Sequence, residues 1–203
     1  MRALLAALLV AATPGVHHTA AGTAAAHAAL LHRADLGAGW VAGATPKKVG
    51  ALTCGTAAAV KGVVETGSAV SPTYQSSGTG PFVSQSAYVY SSAAGAAKLF
   101  AQVGGNTALT CLAQSFLGAD PSANVAFTAG TQQTLRAPKV NGQATAYRVV
   151  GRAIVSAQKV TVYVDIVLIQ RGDTISTISY ASFSVPLAAG VEARIARAAA
   201  NRL

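Results

Sequence analysis

Residues 159–173 read KVTVYVDIVLIQRGD, in which β-branched and apolar residues lead into a glycine and an aspartate. Such residues favour a strand, and Arg171-Gly172-Asp173 supplies the small and polar residues of a tight hairpin turn, which we prefer to an adhesion motif. The neighbouring segments repeat this pattern. We therefore predict an antiparallel meander of strands at residues 131–135, 144–155, 159–170 and 174–182.

Helices are predicted before and after this meander in the sequence. Two serines can cap a helix over residues 93–103, which follows a strand at residues 82–90. Pro186 can open a last helix whose apolar residues face inward while Glu192 tends outward. Because the strands and helices do not alternate as β–α–β units, we predict an α+β fold. Its core is a twisted antiparallel β-sheet of about five to six strands with helices packed on one face.

The N-terminus has the order of a secretory signal. Met1-Arg2 is followed by an apolar run at residues 3–12 and then by Thr13-Pro14-Gly15. The run is shorter than the ~20 residues that span a bilayer. We predict a signal peptide at residues 1–26 and a single domain at residues 27–203. Small residues suited to cleavage also occur at 10–12, so two cleavage positions remain open.

The only two cysteines are Cys54 and Cys111. In an exported chain two thiols allow one intramolecular bridge, and we predict a disulfide between them. Two buried free thiols are the alternative. A bridge across a loop of this length would stabilise the domain by about 4 kcal/mol in the chain-entropy model.

The chain is basic, with a net charge of +9 that reflects few acids more than many bases. The bases are scattered, and only Lys47 and Lys48 are adjacent, so the pattern of a nucleic-acid site is missing. General attraction to anionic envelope polymers or lipid headgroups is expected. We predict a secreted or extracellular monomer, associated with the cell wall, without an integral membrane segment after removal of the signal.

Asp165 interrupts the apolar strand of the opening stretch. If residues 156–157 form a two-residue turn, Arg148 faces Asp165, and Arg152 and Tyr163 lie on the same side of the sheet. Two interpretations follow. The residues form either a structural cross-strand ion pair or the floor of a ligand-binding cleft.

Residue patterns typical of catalysis are missing from the sequence. All four histidines precede residue 33, and His27 and His32 have no second cluster of metal ligands after them. The six acids show no pairing in sequence, and neither a Gly-x-Ser-x-Gly motif nor a phosphate-binding loop occurs. We predict a protein that is not an enzyme and has no cofactor and no metal site.

Four short segments carry a family resemblance: ADLGAGW at 34–40, VSQSAYVYSSAA at 83–94, TCLA at 110–113 and VTVYVD at 160–165. With this layout the chain resembles the actinobacterial PknH-like extracellular sensor domain and the LpqN-type envelope proteins with a PsbP-like fold, over roughly residues 30–203. The resemblance implies a domain outside the cytoplasm that binds something in or near the cell wall. We expect the chain to differ from members of these families in having neither a preceding kinase nor a lipidated N-terminal cysteine.

From these features we predict a secreted, non-catalytic, envelope-associated sensor-like domain that binds a small cell-wall or lipid-derived ligand in a cleft. The expected ligand-binding residues are Arg148, Arg152, Tyr163 and Asp165. One alternative is a protein–protein interaction module that docks onto another exported protein. The other is a hydrolase whose catalytic residues are dispersed in the sequence.

Overall fold

The computed structural model describes residues 15–47, 49, 52, 62–78, 80–103, 126–155 and 158–203. This part of the chain contains nine strands: β1 (Gly15–Val16), β2 (Val41–Ala42), β3 (Val64–Val70), β4 (Tyr74–Gln75), β5 (Phe82–Tyr90), β6 (Ala126–Leu135), β7 (Gln143–Val155), β8 (Gln158–Arg171) and β9 (Thr174–Phe183). Its four helices are α1 (Ala20–Ala28), α2 (Arg33–Leu36), α3 (Ala93–Val103) and α4 (Ala189–Arg202). The predicted α+β class is confirmed.

All nine strands belong to one sheet with the order β1-β3-β5-β9-β8-β7-β6, and β4 joins β2 to β5. The sheet is mixed, because β1 runs parallel to β3 while the other pairs are antiparallel. It therefore has more strands than predicted. The additional strands β1, β2 and β4 are two residues long, which is too short to show any periodicity in the sequence.

The C-terminal meander follows the predicted pairing. In β7 and β8 the register runs from Val155 opposite Gln158 to Gln143 opposite Gln170. β8 and β9 are joined by a two-residue turn in which Gly172 has φ +58°, a value that favours glycine. Arg171-Gly172-Asp173 thus closes a hairpin. The meander meets the N-terminal part of the sheet where β5 pairs with β9, from Phe82 opposite Ala181 to Val89 opposite Thr174.

Helices cover both faces of the sheet. Alternate residues of β8 belong to different cores: Val164 packs in one cluster with Leu99 of α3, and Val167 packs in another with Ile195 of α4. The prediction that helices cover only one face is therefore wrong. Since both faces of β8 are apolar, the strand reads as a continuous hydrophobic run, and its alternation is hidden in the sequence.

The segment before residue 27 is packed into the fold. β1 pairs with β3, α1 lies against β3 and β5, and Ala26 is fully buried. Gly22 and Gly67 meet where α1 crosses β3: a Cβ on Gly22 would lie 2.3 Å from the Thr66 carbonyl oxygen, and one on Gly67 would lie 2.1 Å from the Gly22 carbonyl carbon. Only glycine fits this contact. The signal peptide stays a prediction, but residues 15–26 pack here as part of the domain.

Two further predictions concern the disulfide and membrane-spanning segments. Cys54 and Cys111 are both outside the described part of the chain, so their disulfide stays a prediction. Within the described residues, no helix combines the length and apolar character needed to cross a bilayer.

Candidate functional site

Arg148 and Asp165 form the centre of the four predicted ligand-binding residues. They face each other across β7 and β8, as predicted, and Arg148 donates from Nε to Oδ1 at 2.6 Å and from Nη2 to Oδ2 at 2.7 Å. Asp165 is only 2 % exposed. The hydrogen bond to Asp165 raises the pKa of Arg148 against the opposing effect of burial. The result is a paired charge with bidentate geometry, among the stronger hydrogen-bonded arrangements in proteins.

Tyr163 lies next to this pair on the same side of the sheet. The Arg148 Cζ atom is 5.7 Å from the centroid of the Tyr163 ring, within the range of a cation–π contact. The tyrosine is partly exposed, and so is the Arg148 side chain, at 18 %. A guanidinium edge and an aromatic ring therefore reach the surface together.

Glu192, on helix α4, lies against Arg148 on the same face of the sheet as Tyr163 and Asp165. It lies in the first turn of α4 and is buried, and its Oε1 atom is 3.9 Å from Arg148 Nη2. Among the described residues this Oε1 atom has no hydrogen-bond partner. Burial and the neighbouring Asp165 carboxylate raise the pKa of Glu192 to about 8, while the positive charge of Arg148 acts to lower it. The buried position of Glu192 beside Asp165 therefore favours the protonated form of its carboxyl group.

The outward orientation predicted for Glu192 is wrong. The buried face of α4 contains Glu192, Ile195, Ala196 and Ala199, a spacing of i, i+3, i+4 and i+7. In an amphipathic helix an acidic residue is normally expected on the solvent side. Glu192 instead occupies a position on the packed side, where an apolar residue would be expected. The helical periodicity can be seen in the sequence. The sequence does not show that Glu192 lies over Arg148, which is the reason that an acid is buried here.

Tyr180 fixes the first turn of α4 to the sheet. It faces Asp165 across β8 and β9, and its buried hydroxyl donates to the Glu192 carbonyl oxygen at 3.2 Å. Burial, with smaller contributions from Glu192 and Asp165, raises the pKa of Tyr180 well above its usual value. Sequence reasoning did not include Tyr180 in the site, although the short β8–β9 turn would have placed it opposite Asp165.

Arg152 stands apart from the other predicted residues. It faces Thr161, lies on the same side as Arg148 but four positions further along β7, and is exposed. Four residues of a strand span about 13 Å, so one small group cannot contact both guanidinium groups closely. Arg152 has no hydrogen-bond or ion-pair partner in the described part of the chain. The structure thus brings Arg148, Tyr163 and Asp165 together and leaves Arg152 at the margin.

A serine, a histidine and a glutamate also meet near α1. His18 Nε2 is 2.9 Å from Glu65 Oε1 and 3.5 Å from Ser68 Oγ. Both contacts involve the same ring nitrogen, whereas a catalytic triad needs the serine on one nitrogen and the carboxylate on the other. The geometry fits a surface ion pair. Among the described residues, three or more potential metal ligands are nowhere grouped together.

Comparison of the chain with models of known protein families gives no match, and comparison with curated proteins gives none either. The resemblance to sensor-like envelope domains therefore stays a prediction.

Proposed function

We propose that this protein is a secreted, non-catalytic, envelope-associated sensor-like domain that binds a small cell-wall or lipid-derived ligand next to Arg148 and Tyr163. The observation that carries this proposal is the buried Glu192 carboxyl group, whose Oε1 atom lacks a hydrogen-bond partner in the described part beside a partly exposed guanidinium. Buried polar groups are nearly always hydrogen-bonded, and exceptions cluster at functional sites. The family resemblance points in the same direction.

Each of the four predicted ligand-binding residues has a distinct proposed role. The Tyr163 ring offers a flat apolar surface on which a sugar ring or an acyl chain can pack. Arg148 provides the charge that attracts an acceptor group of the ligand, since only its Nε and Nη2 are bonded to Asp165. Asp165 is too buried to contact a ligand and acts by positioning Arg148. Arg152 contributes a second positive charge at the margin of a longer ligand.

Native mass spectrometry of the protein purified from its own culture medium tests the proposal. We expect a retained small molecule that Tyr163→Ala releases and that Tyr147→Ala, on the opposite face of the neighbouring strand, keeps. Circular dichroism checks that both variants are folded. Retention by Tyr163→Ala would show that the site is elsewhere. Failure of the wild-type protein to retain or bind any envelope extract component would overturn the proposed function.

A protein–protein interaction module remains the second candidate. It is favoured by β6, which ends the sheet in the described part of the chain and has exposed side chains along most of residues 128–134. Such an edge can accept an extended strand from another exported protein. Pull-down from envelope extract, with no retained small molecule in the mass spectrum, would favour this function.

The disulfide between Cys54 and Cys111 is part of the same proposal. An exported domain needs a fold that survives outside the cell, and a bridge between two segments far apart in sequence would contribute to it.

A further inference from the structure

A small basic and apolar surface lies at the end of the β7–β8 pairing where Val155 faces Gln158. Ile154 faces Lys159 directly, and Arg152 lies two positions before Ile154 on the same side, about 7 Å away. All three side chains are exposed, and Ile154 is 47 % exposed. Val185 is 68 % exposed and lies at the same end of the sheet. The amide of the preceding residue, Ser184, donates to the carbonyl oxygen of Thr161 in β8 at 2.8 Å. We call these four residues the hairpin-end patch.

The hairpin-end patch carries positive charge that no neighbouring acid neutralises in the described part of the chain. Neither Arg152 nor Lys159 has an ion-pair partner there. The acids with charged or polar contacts have them elsewhere: Asp35 binds Arg202, Asp165 and Glu192 lie against Arg148, and Glu65 contacts His18. The chain as a whole has a net charge of +9. A negatively charged partner is therefore favoured at this end of the sheet.

The apolar members of the hairpin-end patch narrow the choice of partner. A soluble anionic polymer would use the two bases but would leave Ile154 and Val185 in water. A lipid surface with anionic headgroups satisfies both, because bases interact with the headgroups while branched apolar side chains enter the region of the acyl chains. Exposed apolar residues flanked by cations are the usual composition of such surfaces.

We propose that the hairpin-end patch docks the domain onto an anionic lipid surface. The interaction is weak and reversible, because only two bases and two aliphatic side chains take part, and each base strengthens binding roughly fivefold. The inference goes beyond the proposed ligand site, and it does not require a ligand at Arg148 and Tyr163. If both hold, docking brings that site close to the lipids from which a ligand could come.

Vesicle sedimentation with the full purified chain tests this inference. The probes are vesicles of equal parts phosphatidylglycerol and phosphatidylcholine, compared with vesicles of phosphatidylcholine alone. We expect binding to the anionic vesicles only, and weaker binding as the salt concentration rises from about 0.05 M to about 0.5 M. Replacing Ile154→Ser and Lys159→Gln together should weaken binding roughly tenfold or more.

The matched control replaces Val41→Ser and Lys98→Gln, which removes one exposed apolar residue and one exposed base elsewhere on the molecule. It changes the net charge by the same amount, and its binding should stay within about twofold of the wild type. Thermal unfolding checks that both double variants are folded.

Three results would overturn the inference: no binding of the wild type to anionic vesicles, equal loss of binding in both double variants, or no loss in either. Binding to soluble polyphosphate that matches binding to vesicles, and does not change with Ile154→Ser, would also overturn it in favour of a polymer partner. Retention of a small molecule by the hairpin-end variant would show that the proposed ligand site is intact, so the two proposals can fail separately.

Discussion

Gly22 of α1 and Gly67 of β3 touch backbone to backbone, with no room for a Cβ atom on either residue. Gly67→Ala must separate the helix from the strand, and we expect it to destabilise the domain by about 2 kcal/mol or more, as overpacking of a close contact does. Urea unfolding measures this change. Gly190→Ala is the control, because its Cβ would meet no atom within 4 Å and alanine favours a helix. Equal stability of the two variants would contradict the close contact.

Because residues 15–26 pack as part of the domain, we predict that the signal peptidase cuts after residue 12 and not after residue 26. A chain that starts at residue 13 keeps β1, the Thr19 cap of α1 and the ion pair of His18 with Glu65. A chain that starts at residue 27 loses all three, and we expect its Tm to be lower by more than about 6 °C. Differential scanning calorimetry compares the two chains, and the mass of the exported protein identifies its first residue. A mature protein starting at residue 27 with an undiminished Tm would refute this prediction.

Glu192 gives the stability a particular dependence on pH. Its pKa is raised from 4.5 to about 8 by burial and by Asp165, so between these pH values the folded protein holds a proton that the unfolded chain has lost. The contribution of this group is thus fully present below the lower value and is lost as the pH rises through the upper one. We expect Glu192→Gln to be more stable than the wild type at pH 8 and similar to it near pH 4. Urea unfolding across this range is the measurement.

The pH dependence of Asp35 runs in the opposite direction and has to be separated from that of Glu192. Burial acts to raise the pKa of Asp35, but hydrogen bonds from Arg202 and from the His32 amide and the charge of Arg202 lower it overall. Its contribution is therefore lost as the pH falls. Both the wild type and Glu192→Gln keep Asp35, so their difference isolates Glu192. A difference that does not change with pH would mean that the pKa of Glu192 is the same in the folded and the unfolded protein.

The predicted bridge between Cys54 and Cys111 has a direct chemical test. In denaturant, the exported protein should take up no alkylating reagent before reduction and two equivalents after it. Reduction should lower the stability by about 4 kcal/mol if the bridge acts through the entropy of the unfolded chain. Mass spectrometry counts the labels, and alkylation without prior reduction would establish free thiols instead.

Local signals in the sequence were sufficient for β5, α3 and the last three strands of the meander, whereas β6 begins at Ala126, five residues before its predicted start. The assumption of a two-residue turn at residues 156–157 allowed the register of β7 and β8 to be predicted, and with it the pairing of Arg148 with Asp165. Contacts between distant segments could not be predicted in this way. Gly22 meets Gly67 only because α1 crosses β3, and Glu192 is buried only because α4 lies over Arg148, so neither residue carries a local signal of its role.

The pairing of β5 with β9 has a consequence for how the domain forms. It joins Phe82 to Ala181, whereas β7, β8 and β9 are connected through neighbouring residues. Closing so long a loop has an entropic cost that only the completed sheet repays, and contacts between distant residues slow folding. We therefore expect the β7–β8–β9 meander and the β3–β5 pair to form early. The hydrogen bonds between β5 and β9 should form last. A chain in which β5 and β9 are not yet paired would expose two unpaired strand edges. Such a partly folded species is prone to aggregate.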